Sequence, residues 1–158
     1  MRGARGFSLI ELLIVVAIIL VIAAIAVPSY LRARIQANES AAVGSLRTLN
    51  VAQASYFSAF PTVGYASSLT ALGGTSCSPP TPSSGCIVDT VLAAGVRSGY
   101  TFTLTGASGT PSQAYQITGS PTVPQVTGTR YFCSFADGVV RTNAAVIATC
   151  DSTVAPLN

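Results

Sequence analysis

The residues with chemistry to offer are few: five carboxylates, eight arginines and four cysteines in 158 residues, with no histidine, lysine or tryptophan. Without histidine the chain lacks the usual proton carrier near neutral pH. Glu11, Glu39, Asp89, Asp137 and Asp151 lie too far apart in sequence to pair as general acid and base. An enzyme is therefore not expected, nor a cofactor. Cys77, Cys86, Cys133 and Cys150 lack the tight clustering of a metal site, and Asp137 and Asp151 make no oxygen-rich loop for calcium. The formal charge is +3. Removing residues 1–6 takes Arg2 and Arg5 with it, leaving six arginines against five acids, or +1. Only Arg32 and Arg34 approach the clustered charge that nucleic-acid binding needs, so nucleic acid is a disfavoured partner.

Glu11 is the acid in an unusual place. The chain is 49% hydrophobic and only 8% charged, and much of the excess lies from Leu12 to Val27, where no residue is polar. Phe7 to Val27 as an α-helix is about 32 Å long, enough to cross the hydrocarbon core of a bilayer. Arg2 and Arg5 precede it, which puts the N-terminus in the cytoplasm and everything after Pro28 outside. Ala24-Ile25-Ala26 has the small-x-small form of a signal-peptide cleavage site. Glu11 argues against that reading, because a carboxylate in an apolar segment costs a few kcal/mol when unpaired and is usually functional. Neither a secretion signal nor a plain anchor has a use for it.

The surrounding residues are Arg5-Gly6-Phe7-Ser8-Leu9-Ile10-Glu11, followed by Leu12-Leu13-Ile14-Val15-Val16-Ala17-Ile18-Ile19. This stretch closely resembles the processing and methylation motif of type IV pilins, shared with the pseudopilins of type II secretion. The resemblance is detailed over roughly the first 60 residues. It implies that residues 1–6 are a leader, cut between Gly6 and Phe7 by a prepilin peptidase that then methylates the Phe7 amine. It implies, too, that the helix stays in place, and that Glu11 of an incoming subunit neutralises the terminal amine of its neighbour. Each charge is costly alone in an apolar setting and tolerable when paired. The expected partners are copies of the chain itself in a helical homopolymer, the inner membrane before assembly, the peptidase and the pilus assembly machinery. Residues 7–28 form the membrane and polymerisation segment in this scheme, with Ala17, Ala23, Ala24 and Ala26 allowing close helix approach.

Residues 29–60 continue as an amphipathic half of the same helix. Leu31, Ile35, Ala42, Leu46, Leu49, Gln53, Tyr56 and Phe60 follow helical spacing. Gln53 is the one break in that stripe, and Arg32, Arg34, Glu39 and Arg47 fall between its members. Pro61 ends the helix near Phe60. Pro28 predicts a kink or a locally unwound stretch just before it, and Gly44 is a second weak point. The segment before the headgroup has no apolar partner in its own chain, so lipid or copies of itself must bury it.

Residues 61–158 read as a β-rich headgroup. Tyr100 to Thr105 alternates strictly, as a strand with one buried face does. Ala114–Thr118 and Arg130–Phe135 are two further strands, and Asp137-Gly138 turns the chain into a fourth over Val139–Thr142. The fold class is α+β: a long N-terminal helix on an antiparallel, roughly four-stranded sheet, which matches the type IV pilin fold. Residues 64–95 form an irregular, variable loop, whose Ser, Thr and Pro could carry O-linked sugar by the same resemblance. Asn38-Glu39-Ser40 fits an N-glycosylation sequon, but it lies in mid-helix and is read as coincidence. Outside the cytoplasm cysteines pair. Short loops favour Cys77 with Cys86 and Cys133 with Cys150.

The function expected is that of the major subunit of a type IV pilus, a surface filament for adhesion, twitching motility or biofilm formation. One alternative is a pseudopilin forming a short periplasmic piston. Another is a minor pilin that binds DNA or a receptor through exposed Arg97, Arg130 or Arg141. The aromatics Phe7, Tyr30, Tyr56, Phe57 and Phe60 suggest electron conduction, but core packing accounts for their positions.

Overall fold

The structure is a computed structural model that describes residues 7–75, 77–106 and 109–157. Helix α1 runs from Leu9 to Ala59, 51 residues. Its last turn closes with the Phe60 amide donating to the Tyr56 carbonyl at 2.9 Å, and Pro61, which lacks an amide hydrogen, cannot extend it. The helix is unbroken through Pro28 and Gly44, so the unwound stretch expected before Pro28 is absent. A proline removes one intrahelical bond, and the neighbouring turns retain theirs. The chain divides into two compact units between Arg34 and Ile35.

In the second unit, α1 lays Ala42, Leu46, Leu49, Ala52 and Tyr56 into a core with Tyr100, Phe102, Leu104, Tyr115, Ile117 and Phe132. Among the described residues the sheet has five antiparallel strands in chain order. They are β1 (Val96–Arg97), β2 (Tyr100–Gly106), β3 (Tyr115–Pro121), β4 (Tyr131–Phe135) and β5 (Arg141–Asn143). On β2 the buried residues alternate with exposed threonines, as the sequence pattern requires for a sheet with one face on the core.

The sequence did not indicate β1. Its turn is Ser98-Gly99, with both residues at positive φ (50° and 73°), the geometry of a two-residue hairpin. The third and fourth expected strands begin a residue or two later than predicted, and Ala114–Thr118 becomes Tyr115–Pro121. The extension passes through Gly119, where a Cβ would crowd the Phe102 ring. Val139 is not in β5, because its amide is bound by the Asp137 carboxylate at 3.0 Å in the preceding turn. The loop region 64–95 also contains two single-turn helices, α2 (Leu69–Leu72) and α3 (Thr90–Ala93). Ser68 and Asp89 cap them by accepting from Ala71 and Leu92 amides, which satisfies otherwise orphaned donors.

A second, smaller core lies on the other side of β4. There Cys133, Ile147 and Cys150 are buried, with Tyr131, Phe135 and Val154 around them. The Cys133–Cys150 disulfide holds the C-terminal segment over this face. Gln116 adds a bond by accepting from the Cys150 amide at 3.0 Å. Cys77 is joined to Cys86, closing a proline-rich loop that is tied to α1 by the Tyr56 hydroxyl donating to the Pro82 carbonyl at 2.6 Å.

Candidate functional site

Two sets of residues on α1 make up the candidate site: the apolar surface of its first half, and the polar contacts that fix its second half to the sheet. In the first, Phe7, Leu9, Ile10, Leu12 to Val16, Ile18 to Ile22, Ile25 and Val27 are large apolar residues or their neighbours, almost all exposed. An 18-residue window of this helix is long and apolar enough to cross a membrane, and none of it is buried. So much exposed aliphatic surface is unstable in water at about 25 cal/mol per Å². Lipid or another apolar surface must cover it.

Ser8 opens the helix, its carbonyl accepting from the Glu11 and Leu12 amides at 3.1 and 3.2 Å. Glu11 therefore sits in the first turn, where the helix dipole favours a negative charge. Among the described residues its side chain has no ion pair and no hydrogen bond. Phe7, the residue expected to become the terminus, is 80% exposed. Gly6, the expected cleavage position, lies outside the described residues. Pro28 is inside α1, just after the apolar run.

The second set corrects the reading of Glu39. The sequence pattern places it between the members of the apolar stripe, yet it is 4% exposed. Its Oε1 accepts from the Thr129 amide (2.9 Å), the Thr129 hydroxyl (2.8 Å) and the Arg130 amide (3.2 Å), and its Oε2 from Arg130 Nε (2.8 Å). Burial raises the carboxyl's pKa, but the two bonds from Thr129, the one from the Arg130 side chain and the arginine charge outweigh it, and the group is held below its usual value of 4.5. The spacing held the clue: position 39 is four after Ile35 and three before Ala42, inside the stripe rather than beside it.

Gln53, the apparent break in the stripe, is fully buried. Its amide donates to the Ala66 carbonyl at 3.0 Å and accepts from the Ala66 amide at 2.9 Å, so it pairs with a loop residue as a strand neighbour would. Asn50 donates to Ser134 Oγ (2.8 Å) and to the Gly138 carbonyl (3.1 Å), and accepts from the Tyr115 hydroxyl (3.2 Å). Burial pushes the Tyr115 pKa up to about 12, so that hydroxyl stays a donor. Asn38, the sequon residue, is within the helix and donates to the Thr127 carbonyl at 2.9 Å.

The arginines named for phosphate binding are already engaged. Arg97 pairs with Asp89 at 3.0 Å, Arg130 with Glu39 at 2.8 Å and Arg141 with Asp137 at 2.6 Å. Arg141, expected to be exposed, has a side chain only 9% exposed, stacked on the Phe135 ring at 4.4 Å. Of the aromatics considered for conduction, Tyr56 packs on Phe60 with ring centroids 4.9 Å apart, as core residues do, and Phe57 packs on Tyr65 at 4.8 Å.

Residues 1–27 match the family model of the prokaryotic N-terminal methylation motif. The chain is 50% identical over 54 residues to the type IV major pilin protein PilA of Myxococcus xanthus. It is 58% identical over 40 residues to the type IV wide pilus major component PilA4 of Thermus thermophilus. This N-terminus is similar to those of two type IV pilins and carries the methylation motif. The likeness spans 34% and 25% of this chain, and 24% and 30% of the two pilins, so the chain matches less than a third of the length of either relative. No solved structure matches the chain significantly. Beyond the shared N-terminal segment, the α+β architecture of one long helix and an antiparallel sheet is consistent with the type IV pilin fold.

Proposed function

We propose that the chain is the major structural subunit of a type IV pilus, stored in the inner membrane and polymerised through α1 into a helical surface filament for adhesion, twitching motility or biofilm formation. The observation that carries this is the uncovered apolar half of α1 behind a methylation motif. A segment that its own chain leaves exposed is stable in lipid as a monomer and among copies of itself as a polymer. Head-to-tail contacts that do not close into a ring generate a helical filament. The names of the two matched pilins support the same reading.

In this scheme residues 1–6 are the leader, and prepilin peptidase cuts after Gly6 and methylates Phe7. Residues 7–28 anchor the subunit and later pack the filament core, residues 29–60 hold the headgroup, and residues 61–158 form its surface. The Glu11 carboxylate, without an ion pair among the described residues, takes the cationic Phe7 amine of a neighbouring subunit as its partner, setting the axial register. In the filament Pro28, which lacks an amide hydrogen, is where the helix gives first. The disulfides Cys77–Cys86 and Cys133–Cys150 secure the headgroup outside the cell.

The test is expression of the full chain in a cell with a working prepilin peptidase and pilus machinery. Long surface filaments labelled by an antibody to the headgroup, with an N-methylated Phe7 at the terminus by mass spectrometry, are expected. Glu11→Ala should accumulate in the membrane with filaments lost. Short periplasmic assemblies, or filaments of normal yield and length from Glu11→Ala, would overturn the reading.

A further inference from the structure

Among the described residues, the arginines of the second unit's sheet and loops each have a carboxylate partner. Arg32, Arg34 and Arg47, all on α1, are exposed and have neither an ion pair nor a side-chain hydrogen bond there. Two of these three, Arg32 and Arg34, come directly after the apolar run. Orientation across a membrane does not explain them. Arg2 and Arg5 precede the run and Arg32 and Arg34 follow it, so the second pair works against the bias that the first sets up.

Their depth is more informative. Val27 is the last residue of the apolar run, and at 1.5 Å per residue Tyr30, Arg32 and Arg34 lie about 4.5, 7.5 and 10.5 Å beyond it. The headgroup layer adds roughly 5 to 8 Å to each side of the hydrocarbon core. Tyr30, 66% exposed, is thus in the interfacial layer, where tyrosine is enriched. The two arginine backbones are at or just past its outer limit. Helical side chains lean toward the N-terminus, here back toward the bilayer, and long cationic side chains place their stems along apolar surface with the head in the polar layer. Arg34 is one turn from Tyr30 on the same face, and Arg32 is on nearly the opposite face. The two guanidinium groups therefore encircle the helix at one level.

We propose that Arg32 and Arg34 form a collar that binds the phosphates of anionic phospholipid headgroups on the membrane face next to Pro28, fixing the depth at which a subunit is stored. Guanidinium donates two parallel hydrogen bonds to phosphate, and a basic side chain near an anionic surface contributes by attraction that falls off within a Debye length. The collar rests on the proposed membrane-spanning role of residues 7–28. Leaving the membrane for a filament requires these contacts to break, so the lipid sets a threshold for extraction.

The chain has no tryptophan, so Tyr30→Trp places a single indole at this level, excited selectively over the remaining tyrosines. The full chain is reconstituted in vesicles that mix phosphatidylcholine and phosphatidylglycerol, with one or the other lipid brominated as quencher. Quenching should favour brominated phosphatidylglycerol, by on the order of fivefold for each arginine at low salt. The preference should vanish in Arg32→Gln/Arg34→Gln and fade at about 0.5 M salt. Equal quenching by the two lipids, or a preference that survives in the double variant, would overturn the collar while leaving the spanning segment intact. Loss of the preference to millimolar soluble glycerophosphate would instead mark a free-anion site and refute the lipid assignment. No quenching by either lipid would refute the spanning segment and the collar with it.

Discussion

Gln53→Met should destabilise the protein even though it completes the apolar stripe of α1. Methionine has nearly the length and shape of glutamine, so the change leaves packing in place and removes the two bonds to Ala66. Ala66 is 1% exposed, and its amide and carbonyl would then have no partner and no access to water. Each such orphan costs about 1–3 kcal/mol. Burying a thioether in place of an amide returns about 2 kcal/mol, which leaves a net loss of about 2 kcal/mol. For a unit of this size that lowers Tm by roughly 8 °C, measurable by calorimetry on the full chain in detergent micelles. Amide exchange at Ala66 should accelerate in the same variant. Gln53→Glu adds a directional check, since a neutral carboxylic acid both donates and accepts whereas a carboxylate only accepts. Its folded-state pKa is raised by burial, so its stability should be greatest at low pH and fall as pH rises. An unchanged or higher Tm for Gln53→Met would refute the reasoning, because it would mean that hydrophobic pattern alone governs this face.

Glu39→Ala should cost about 2–3 kcal/mol, less than a fully buried pair, because the Arg130 side chain is 48% exposed and recovers water. Since the bonds from Thr129 and Arg130 hold the Glu39 carboxyl below 4.5, the wild-type advantage should be complete above that pH and shrink as pH falls below it, as read by urea unfolding from pH 7 to pH 3. Replacing Cys133 and Cys150 by serine should cost about 3 kcal/mol by loop closure. Chemical unfolding should show the pair Cys77 and Cys86 costing less, because Cys77 is exposed while Cys133 is fully buried. Gly128→Ala drives a Cβ into the Tyr100 hydroxyl and ring, displacing the bond from that hydroxyl to the Arg130 carbonyl at 2.8 Å. A loss of about 1–3 kcal/mol is expected, with faster exchange across residues 123–130.

What was legible in the sequence was local. The methylation motif, the apolar run and the alternation of Tyr100–Thr105 are each contained in a short window, and each has its counterpart in the chain's similarities or its structure. Cys77 and Cys86 are only nine residues apart, so proximity along the chain suggested their bond. Glu39 and Arg130 are 91 residues apart, and nothing near either one shows that the other neutralises it. The same applies to Asn50, whose partners Ser134, Gly138 and Tyr115 are all on distant strands and turns. Helices α2 and α3 were missed for another reason. Four residues are too few for a helical period, and only their caps, Ser68 and Asp89, mark them. Strand β1 was missed because two residues show no alternation, and Ser98-Gly99 was its one signal.

The last described residues run alongside β5. The Thr142 amide donates to the Ala155 carbonyl and the Leu157 amide to the Val140 carbonyl, both at 2.9 Å. The chain's own tail thus occupies the border where a foreign strand would dock, and β1 at the opposite border is two residues long. Unpaired sheet borders are templates for runaway ribbon growth. Crowded copies of this headgroup therefore have little backbone with which to fuse into amyloid-like stacks.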